Sequence, residues 1–307
     1  MEGNIVCEQV VLEEVANSFL TVVGVGDSGC DIVETIRNAG FLDFDYALVS
    51  NSWHTLEGKS VVNKLLLSDN ESENNELLQN LFGFSSKFLV VVAGLDETPM
   101  VPVVAGLCRQ FHDKCGINAT SLVLAVLPSQ SENGGMELEK SMGLIAKQAT
   151  NVITIDTGHF CNQPVLSALS GQSLACKYVY NYIYVVTQMF MNHKYGCNDY
   201  QDVVALLHSG NRPMVVTGTG SGGNRVENIF KALKDKIIDL KCQEADIHLL
   251  LHFCFSPSHP LSEKEFQFMT ALLQKSFFSR EHIDMLFNCS DDAGISDDTI
   301  LYNAIVM

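Results

Sequence analysis

A short glycine-rich segment near the amino end of the chain is of a kind that can bind phosphate. It reads Gly24-Val25-Gly26-Asp27-Ser28-Gly29 and lies between an apolar run and a helical pattern. Backbone amides at the N-terminus of a helix can donate to an anion, and the helix dipole favours negative charge there. The same glycines could serve only to allow a tight turn between a strand and a helix. This segment alone leaves both interpretations open.

A dinucleotide site of the Rossmann type would also predict an acidic residue at the end of the second strand. Here the second predicted strand ends Ser50-Asn51-Ser52, without a carboxylate. Ser28 and Ser221 lie in glycine-rich turns, but neither has the G-x-S-x-G pattern of a hydrolase. A Rossmann-type nucleotide-cofactor enzyme therefore stays an alternative with weaker support.

Cys108, His112 and Cys115 have a spacing that would put them along one face of a helix. A structural zinc site normally has four ligands in paired spacings, and no fourth ligand is close in sequence. Buried thiols and a polar histidine explain the three residues better, and we expect no metal site.

Two further groups are also better explained by structure. His248, His252 and Cys254 alternate along one side of a predicted strand, as the residues of a core face do. The run Gly218–Asn224 could approach phosphate, but a flexible turn is the simpler interpretation.

The charge and composition exclude several classes of partner. The formal net charge of −17 argues against nucleic acid or an anionic membrane, because both attract clusters of Lys and Arg. No apolar run approaches the ~20 residues of a membrane helix, so we expect no direct membrane insertion. The N-terminus lacks the pattern of a signal peptide. The ten cysteines are scattered without a CxxC pair, and we interpret them as reduced in a cytoplasmic protein.

Short apolar runs alternate with helical patterns along the first half of the chain. Such alternation is typical of a parallel, doubly wound sheet that binds ligands at the carboxyl ends of its strands. The predicted strands are Phe19–Val23, Tyr46–Asn51, Phe88–Gly94, Leu122–Leu127 and Val152–Ile155. One predicted helix follows Gly29, and two others span Val101–Phe111 and Glu137–Gln148.

A long apolar pattern from Leu174 to Met191 predicts a central helix, and a second α/β segment follows it. Its predicted helices are Asp202–Leu207, Val226–Leu233 and Glu263–Phe277, and its predicted strands are Met214–Gly218, His248–Phe255 and Thr299–Val306. We therefore expect a Rossmann-like domain over 1–173, the central helix over 174–194 and an α/β domain over 195–307.

The order of motifs along the chain resembles the FtsZ/tubulin family. The glycine segment is similar to the first phosphate loop of FtsZ, and Leu48–Ser52 to the next strand and loop of the family. Val92–Leu95 and Pro102–Ala105 resemble the two flanks of the glycine-rich tubulin signature, and Ala125–Glu132 resembles the V-T-x-P-F-x-x-E segment.

The resemblance continues in the second half and in total covers residues 18–306. Gly196–Val203 resembles the synergy loop N-x-D-x-x-D-V, and Met214–Gly220 resembles the strand after it. Leu250–Phe253 and Pro260–Glu265 resemble a late strand and the start of the following helix.

The resemblance implies roles for particular residues. The residues that would contact GTP with Mg²⁺, if it binds, are Gly24, Gly26, Asp27, Ser28, Gly29, Asn51, Gly94, Thr98 and Glu132. Asp199 and Asp202 would enter the pocket of the next subunit and help to position the attacking water. Alternatively, Asn198 or Asp199 simply caps the helix that follows.

The chain departs from the family where the family binds phosphate. The glycine signature is replaced by the shorter Asp96-Glu97-Thr98-Pro99-Met100, which adds negative charge and a proline without an amide proton. The third loop, between Leu67 and Leu77, is acidic and free of glycine. The positions of the family's base-reading residues fall near Gly158 and near Tyr180 or Asn181.

We therefore expect a cytoskeletal or assembly protein of the FtsZ/tubulin type that is impaired in GTP binding and hydrolysis. It would require no cofactor, and it would self-associate or co-assemble with an FtsZ-like protein. An active FtsZ-like GTPase is the alternative. The last predicted strand ends at Val306, so we expect no tethering through a terminal peptide of the FtsZ kind.

Overall fold

The computed structural model describes residues 10–11, 18–40, 44–82, 86–95, 100–116, 118–127, 135–156, 172–191, 198–209, 214–240, 247–275 and 283–307. The chain divides into two units. The first consists of Met1–Phe160 with Ser173–Val179, and the second of Cys161–Gln172 with Tyr180–Met307. The division falls within the helix that the sequence predicts as the central one.

The first unit is built of alternating strands and helices. Its strands are β1 (Val10–Val11), β2 (Leu20–Val25), β3 (Asp45–Ser50), β4 (Asn63–Leu66), β5 (Phe88–Gly94), β6 (Thr120–Leu127) and β7 (Asn151–Asp156). Its helices are α1 (Gly26–Asn38), α2 (Trp53–Leu56), α3 (Glu71–Gln79), α4 (Val101–Cys115) and α5 (Gly135–Ile145).

The seven strands form one sheet in the order β1-β4-β3-β2-β5-β6-β7. The short β1 is antiparallel to β4, and the other six strands are parallel to one another. The chain moves from β2 outward through β3 to β4, and then returns to place β5 on the other side of β2. This is the doubly wound order, and its switch point lies between β2 and β5.

The strands on either side of the switch point are buried along their whole length. Every residue of β2, β3 and β5 is buried, as expected for parallel strands that are covered on both faces. Their apolar side chains form a core with α4, which contributes Val104, Leu107 and Phe111.

Helix α1 lies unusually close to the sheet, and two glycines make this approach possible. A Cβ atom at Gly29 would overlap the carbonyl oxygen of Val92 in β5. A Cβ atom at Gly24 would lie 2.6 Å from the carbonyl oxygen of Gly29. Neither position has room for a side chain, so both glycines are required by packing alone.

The second unit contains a four-stranded sheet with helices. After α6 (Leu174–Met191), which spans the division, its helices are α7 (Tyr200–Ser209), α8 (Arg225–Leu240) and α9 (Glu263–Leu273). Its strands are β8 (Met214–Ser221), β9 (Ile247–Phe255), β10 (Ile283–Asp291) and β11 (Thr299–Val306). The sheet order is β10-β9-β11-β8, with β10 parallel to β9 and β11 antiparallel to both of its neighbours.

A nearly buried arginine ties several loops of the second unit together. Arg225 donates to both carboxylate oxygens of Glu265, at 2.7 and 3.1 Å, and to the carbonyl oxygens of His259, Pro260 and Asp297. The hydrogen bonds from Arg225 lower the pKa of Glu265 to about 2. Glu265 also completes a capping box with Ser262 at the start of α9.

The α/β fold class predicted from the sequence is confirmed, and the structure adds elements that the patterns do not predict. The missed strands are β1, β4 and β10, and the missed helix is the single turn α2. The acidic segment between Leu67 and Leu77, expected as a loop, is helical from Glu71, where α3 begins. Within the described ranges, no helix is long and apolar enough to cross a membrane.

The close approach of α1 gives a stability prediction. We expect Gly29→Ala to destabilise the protein by about 1–3 kcal/mol, because α1 must move away from the Val92 carbonyl. Gly143→Ala in α5 is the matched control. A Cβ atom there meets nothing within 4 Å, so alanine should stabilise the helix by up to ~1 kcal/mol. Urea unfolding of both variants checks this, and equal midpoints for the two would contradict it.

Candidate functional site

The predicted nucleotide-type residues meet at one edge of the first sheet. The parallel registers pair Val25 with Val49 on one side and with Ala93 on the other, so β3, β2 and β5 end side by side. Ligands of doubly wound folds bind outside the carboxyl ends of strands at the switch point. The structure thus brings together the glycine segment, Asn51 and Gly94.

The glycine segment connects strand β2 directly to helix α1. Gly24 lies in β2, and Gly26 begins α1 with a φ of 71°, a conformation that favours glycine. The N-cap residue is Val25, and no side chain caps the helix. The first turn of α1 therefore has the backbone geometry of an anion site.

The side chains at this turn are less suited to phosphate. Asp27 is exposed in the first turn, and its carboxylate accepts a hydrogen bond from the hydroxyl of Thr55. One turn further along, Asp31 is paired with Lys59. An acidic side chain at a helix N-terminus is itself stabilised by the dipole. Asp27 thus places a negative charge beside the amides that would bind an anion.

The other predicted contacts are only partly described. Asn51 is exposed directly after β3, and Gly94 is the buried last residue of β5. Thr98 and Glu132 lie outside the described residues, as do Asp96, Glu97 and Pro99. The structure therefore gives the geometry of the glycine segment but not that of the substituted signature.

Sequence reasoning missed the residues of α2 at this edge. Thr55 holds the carboxylate of Asp27, and Trp53, the only tryptophan, is 40% exposed just after Asn51. The sequence signal that could have found this region was a lone tryptophan beside a predicted loop, because a tryptophan side chain is usually well buried.

In the second unit, Asp199 and Asp202 lie at the start of α7, and both are exposed. The carboxylate of Asp199 accepts a hydrogen bond of 2.8 Å from the amide of Gln201, and its carbonyl accepts from the amide of Val203. These are the two bonds of an N-cap residue. Asp202 stands in the first turn, where the helix dipole favours a negative charge.

The cysteine and histidine groups have structural surroundings. Burial raises the pKa of the Cys108 thiol to about 12, and the Nε2 atom of His112 lies 2.8 Å from the Ser121 hydroxyl. Burial lowers the pKa of His112 and raises that of Cys115. Among the described residues, no three His, Cys, Asp or Glu side chains are grouped so that they could hold a metal ion.

His252 and Cys254 form part of the core between neighbouring strands. The Nε2 atom of His252 lies 2.9 Å from the Ser290 hydroxyl, and the Tyr184 hydroxyl lies 3.3 Å from the Cys254 sulfur. Burial lowers the pKa of His252 to about 3 and raises that of Cys254 to about 12. The imidazole is therefore neutral and the thiol protonated at neutral pH, so neither is an activated catalytic group.

The glycines of the Gly218–Asn224 run are explained by packing, and the predicted turn is shorter than expected. Strand β8 continues to Ser221. A Cβ atom at Gly218 would collide with the ring of Tyr302, and one at Gly220 with the carbonyl oxygen of Arg225. The turn proper is at Gly222, whose φ is 82°.

The strand order and the glycine turn define a doubly wound protein with a candidate anion site at its switch point. No protein-family model matches the sequence, and no curated protein sequence matches it. Solved structures do match in fold. An FtsZ variant from M. jannaschii has a TM-score of 0.72 and 14% identity, with 94% of this chain and 90% of that chain covered.

Two CetZ structures are also similar. CetZ from Methanosaeta thermophila has a TM-score of 0.67 and 13% identity, covering 93% of this chain and 85% of that chain. A GTPγS-bound CetZ2 protofilament from Haloferax volcanii has a TM-score of 0.64 and 13% identity, covering 94% and 92%. The chain therefore has the fold of FtsZ and CetZ, and the predicted resemblance to the FtsZ/tubulin superfamily is confirmed in fold.

The N-cap role of Asp199 gives a testable difference between two substitutions. Asp199→Ala should destabilise the protein by about 1 kcal/mol, because the Gln201 amide loses its acceptor. Asp199→Ser removes the charge but keeps a capping oxygen, and should stay within a few tenths of a kcal/mol of the wild type. Chemical denaturation measures both. If serine were as destabilising as alanine, the hydrogen bond would not be what the carboxylate contributes.

Proposed function

We propose that this chain is a cytoskeletal or assembly protein of the FtsZ/tubulin type that binds and hydrolyses GTP poorly. The observation that carries the assembly role is the fold, which extends over 94% of the chain in the comparison with an FtsZ structure. The CetZ2 structure is that of a protofilament, and self-association of the present chain is the corresponding proposal.

The weak nucleotide binding follows from the residues at the switch point. The backbone of the first turn of α1 suits an anion, but Asp27 brings a carboxylate to it. The sequence adds Asp96 and Glu97 where the family has consecutive glycines, and Pro99 lacks an amide donor. A loss of only ~1.4 kcal/mol of binding free energy lowers affinity tenfold. Several carboxylates beside a triphosphate would exceed that loss.

The alternative is an active GTPase of the same type. It is favoured by the uncapped N-terminus of α1 and by the placement of Asn51 and Gly94 beside the glycine segment. Binding of GTP with Mg²⁺ would then be normal despite the altered signature. The two candidate functions differ in nucleotide affinity and in the dependence of assembly on GTP.

The partner under the leading proposal is a second copy or an FtsZ-like relative. A chain that retains Asp199 and Asp202 but lacks the glycine signature could act on the nucleotide of an active subunit while offering none itself. In a mixed filament it would form a weak link or block one end. We further propose a cytoplasmic setting with reduced cysteines. Among the described residues, Cys30, Cys108, Cys176, Cys254 and Cys289 are buried free thiols.

Calorimetric titration with GTP and Mg²⁺ tests the leading proposal. We expect binding weaker than micromolar and, where filaments form in electron micrographs, no dependence on added GTP. The matched variant is Asp96→Gly/Glu97→Gly/Pro99→Gly, which removes two charges and restores an amide. It should bind GTP at least about tenfold more tightly. A micromolar or tighter wild-type dissociation constant would contradict weak binding, and GTP turnover by the same protein would then support the GTPase alternative.

The trans role of the two carboxylates is tested by mixing. The protein is added at substoichiometric ratio to a cognate FtsZ, and GTP turnover and filament length are measured. The wild type should change one or both, and Asp199→Ser/Asp202→Ala should change turnover differently while keeping the α7 cap. Identical effects of the two would exclude a catalytic role, and no effect from either would exclude the partnership.

A further inference from the structure

A groove of about 310 Å³ opens among α3, α4 and α5 in the first unit. Its lining includes the buried side chains of Leu67 and Leu78 and the more exposed Val103 and Leu144, the last of which is 44% exposed. None of the described residues predicted to contact nucleotide lines it. The groove is therefore a second concave site, separate from the glycine segment.

Two cationic side chains line this groove, and neither has a carboxylate partner among the described residues. Arg109 donates one hydrogen bond, of 3.3 Å, to the Asn75 side chain, and it forms no ion pair within the described part of the chain. Lys147 lines the same groove and forms neither a hydrogen bond nor an ion pair with any described residue. A guanidinium has five N–H donors and an ammonium three, so most of these donors are not bonded to described protein groups and are available to a ligand.

The unpaired cations stand out against the composition of the protein. The chain has 36 acidic and only 19 basic residues, so carboxylates are abundant on its surface. Arg109 and Lys147 both line the groove, and apolar side chains line it beside them. This combination is complementary to an anion that has an apolar body.

Contacts among the segments that line the groove hold its walls in place. The Asn74 side chain accepts a hydrogen bond of 2.9 Å from the amide of Ser68 and donates one of 2.7 Å to the carbonyl of Ser68. This holds the start of α3 against the end of β4. On the facing helix, a Cβ atom at Gly106 would lie 3.7 Å from the Asn75 side chain and 3.8 Å from that of Leu78. The glycine leaves open space that a long side chain would fill.

The geometry points to a binding site for a small organic carboxylate. The carboxylate is held by Arg109 and Lys147, and a compact apolar body lies against Leu78, Val103 and Leu144. The volume is at the lower end of the ~300–1,000 Å³ typical of ligand sites, which selects small ligands. Arginine supports the carboxylate assignment, because its planar fork matches two carboxylate oxygens.

The probe is 1-naphthoate, with the neutral 1-naphthamide as its matched compound, and binding is measured by ligand-observed NMR. The wild type should prefer the anion by about tenfold or more, as charge-assisted hydrogen bonds imply. Arg109→Gln/Lys147→Gln should lose this preference. Both side chains are exposed, so the double variant should fold. Gly106→Leu should block both compounds.

Lys140→Gln is the matched control, because Lys140 is an exposed cation of α5 that does not line the groove. It should leave the affinity for 1-naphthoate unchanged. Absence of naphthoate binding at millimolar concentration, equal affinity for the two compounds, or unchanged binding to a folded Gly106→Leu variant would each overturn the proposal.

Discussion

The contact of α1 with the backbone of β2 and β5 is the constraint on which the first unit depends. Gly29 brings the helix against the Val92 carbonyl, and Gly24 allows the turn of the helix to lie on its own strand. This approach fixes where the helix begins, and it therefore directs the first amides of α1 to the edge where β3, β2 and β5 end. A candidate anion site at this edge is a consequence of the packing.

The same contact limits what the glycine segment can reveal about function. Gly24 and Gly29 would be required in this fold with or without a ligand, since no side chain fits at either position. Gly26 is required by its positive φ. The residues that discriminate are those that packing leaves unconstrained, such as Asp27 and Asn51, which are both exposed. The Asp27 carboxylate disfavours a phosphate at the first turn of α1, whereas the neutral Asn51 amide is compatible with one.

Elements of the fold were predictable from the sequence where they contain an unbroken apolar run. Strands β2, β3, β5 and β6 are almost wholly buried, and each contains such a run, which identifies it directly. Strand β10 was missed because polar residues, Asn288 and Ser290, occupy part of its buried positions and interrupt the apolar pattern. Asn288 pairs with His252 across the sheet, and both are fully buried. A polar residue that is buried against another polar residue leaves no hydrophobic pattern to detect.

The candidate sites differ in predictability for the same reason. The glycine segment is contiguous, so the sequence could place it, whereas the groove is formed by side chains on and next to α3, α4 and α5 that are distant along the chain.

The sequence predicts the positions of Asp199 and Asp202 but not which role they have. Asp199 is an N-cap in the structure, so helix formation alone would retain an acceptor there. Helix formation does not require a carboxylate at that position, because serine serves the backbone equally well. Asp202 also has no local acceptor role that only an acid could fill, since the dipole contributes at most ~1 kcal/mol at an exposed site. The presence of both carboxylates is therefore more than the helix needs, and the excess is negative charge displayed on an exposed first turn. A catalytic role in the pocket of a neighbouring subunit would use this excess negative charge. Replacing the Asp199 carboxylate with the hydroxyl of serine removes the charge and keeps the helix cap, so the two roles can be separated.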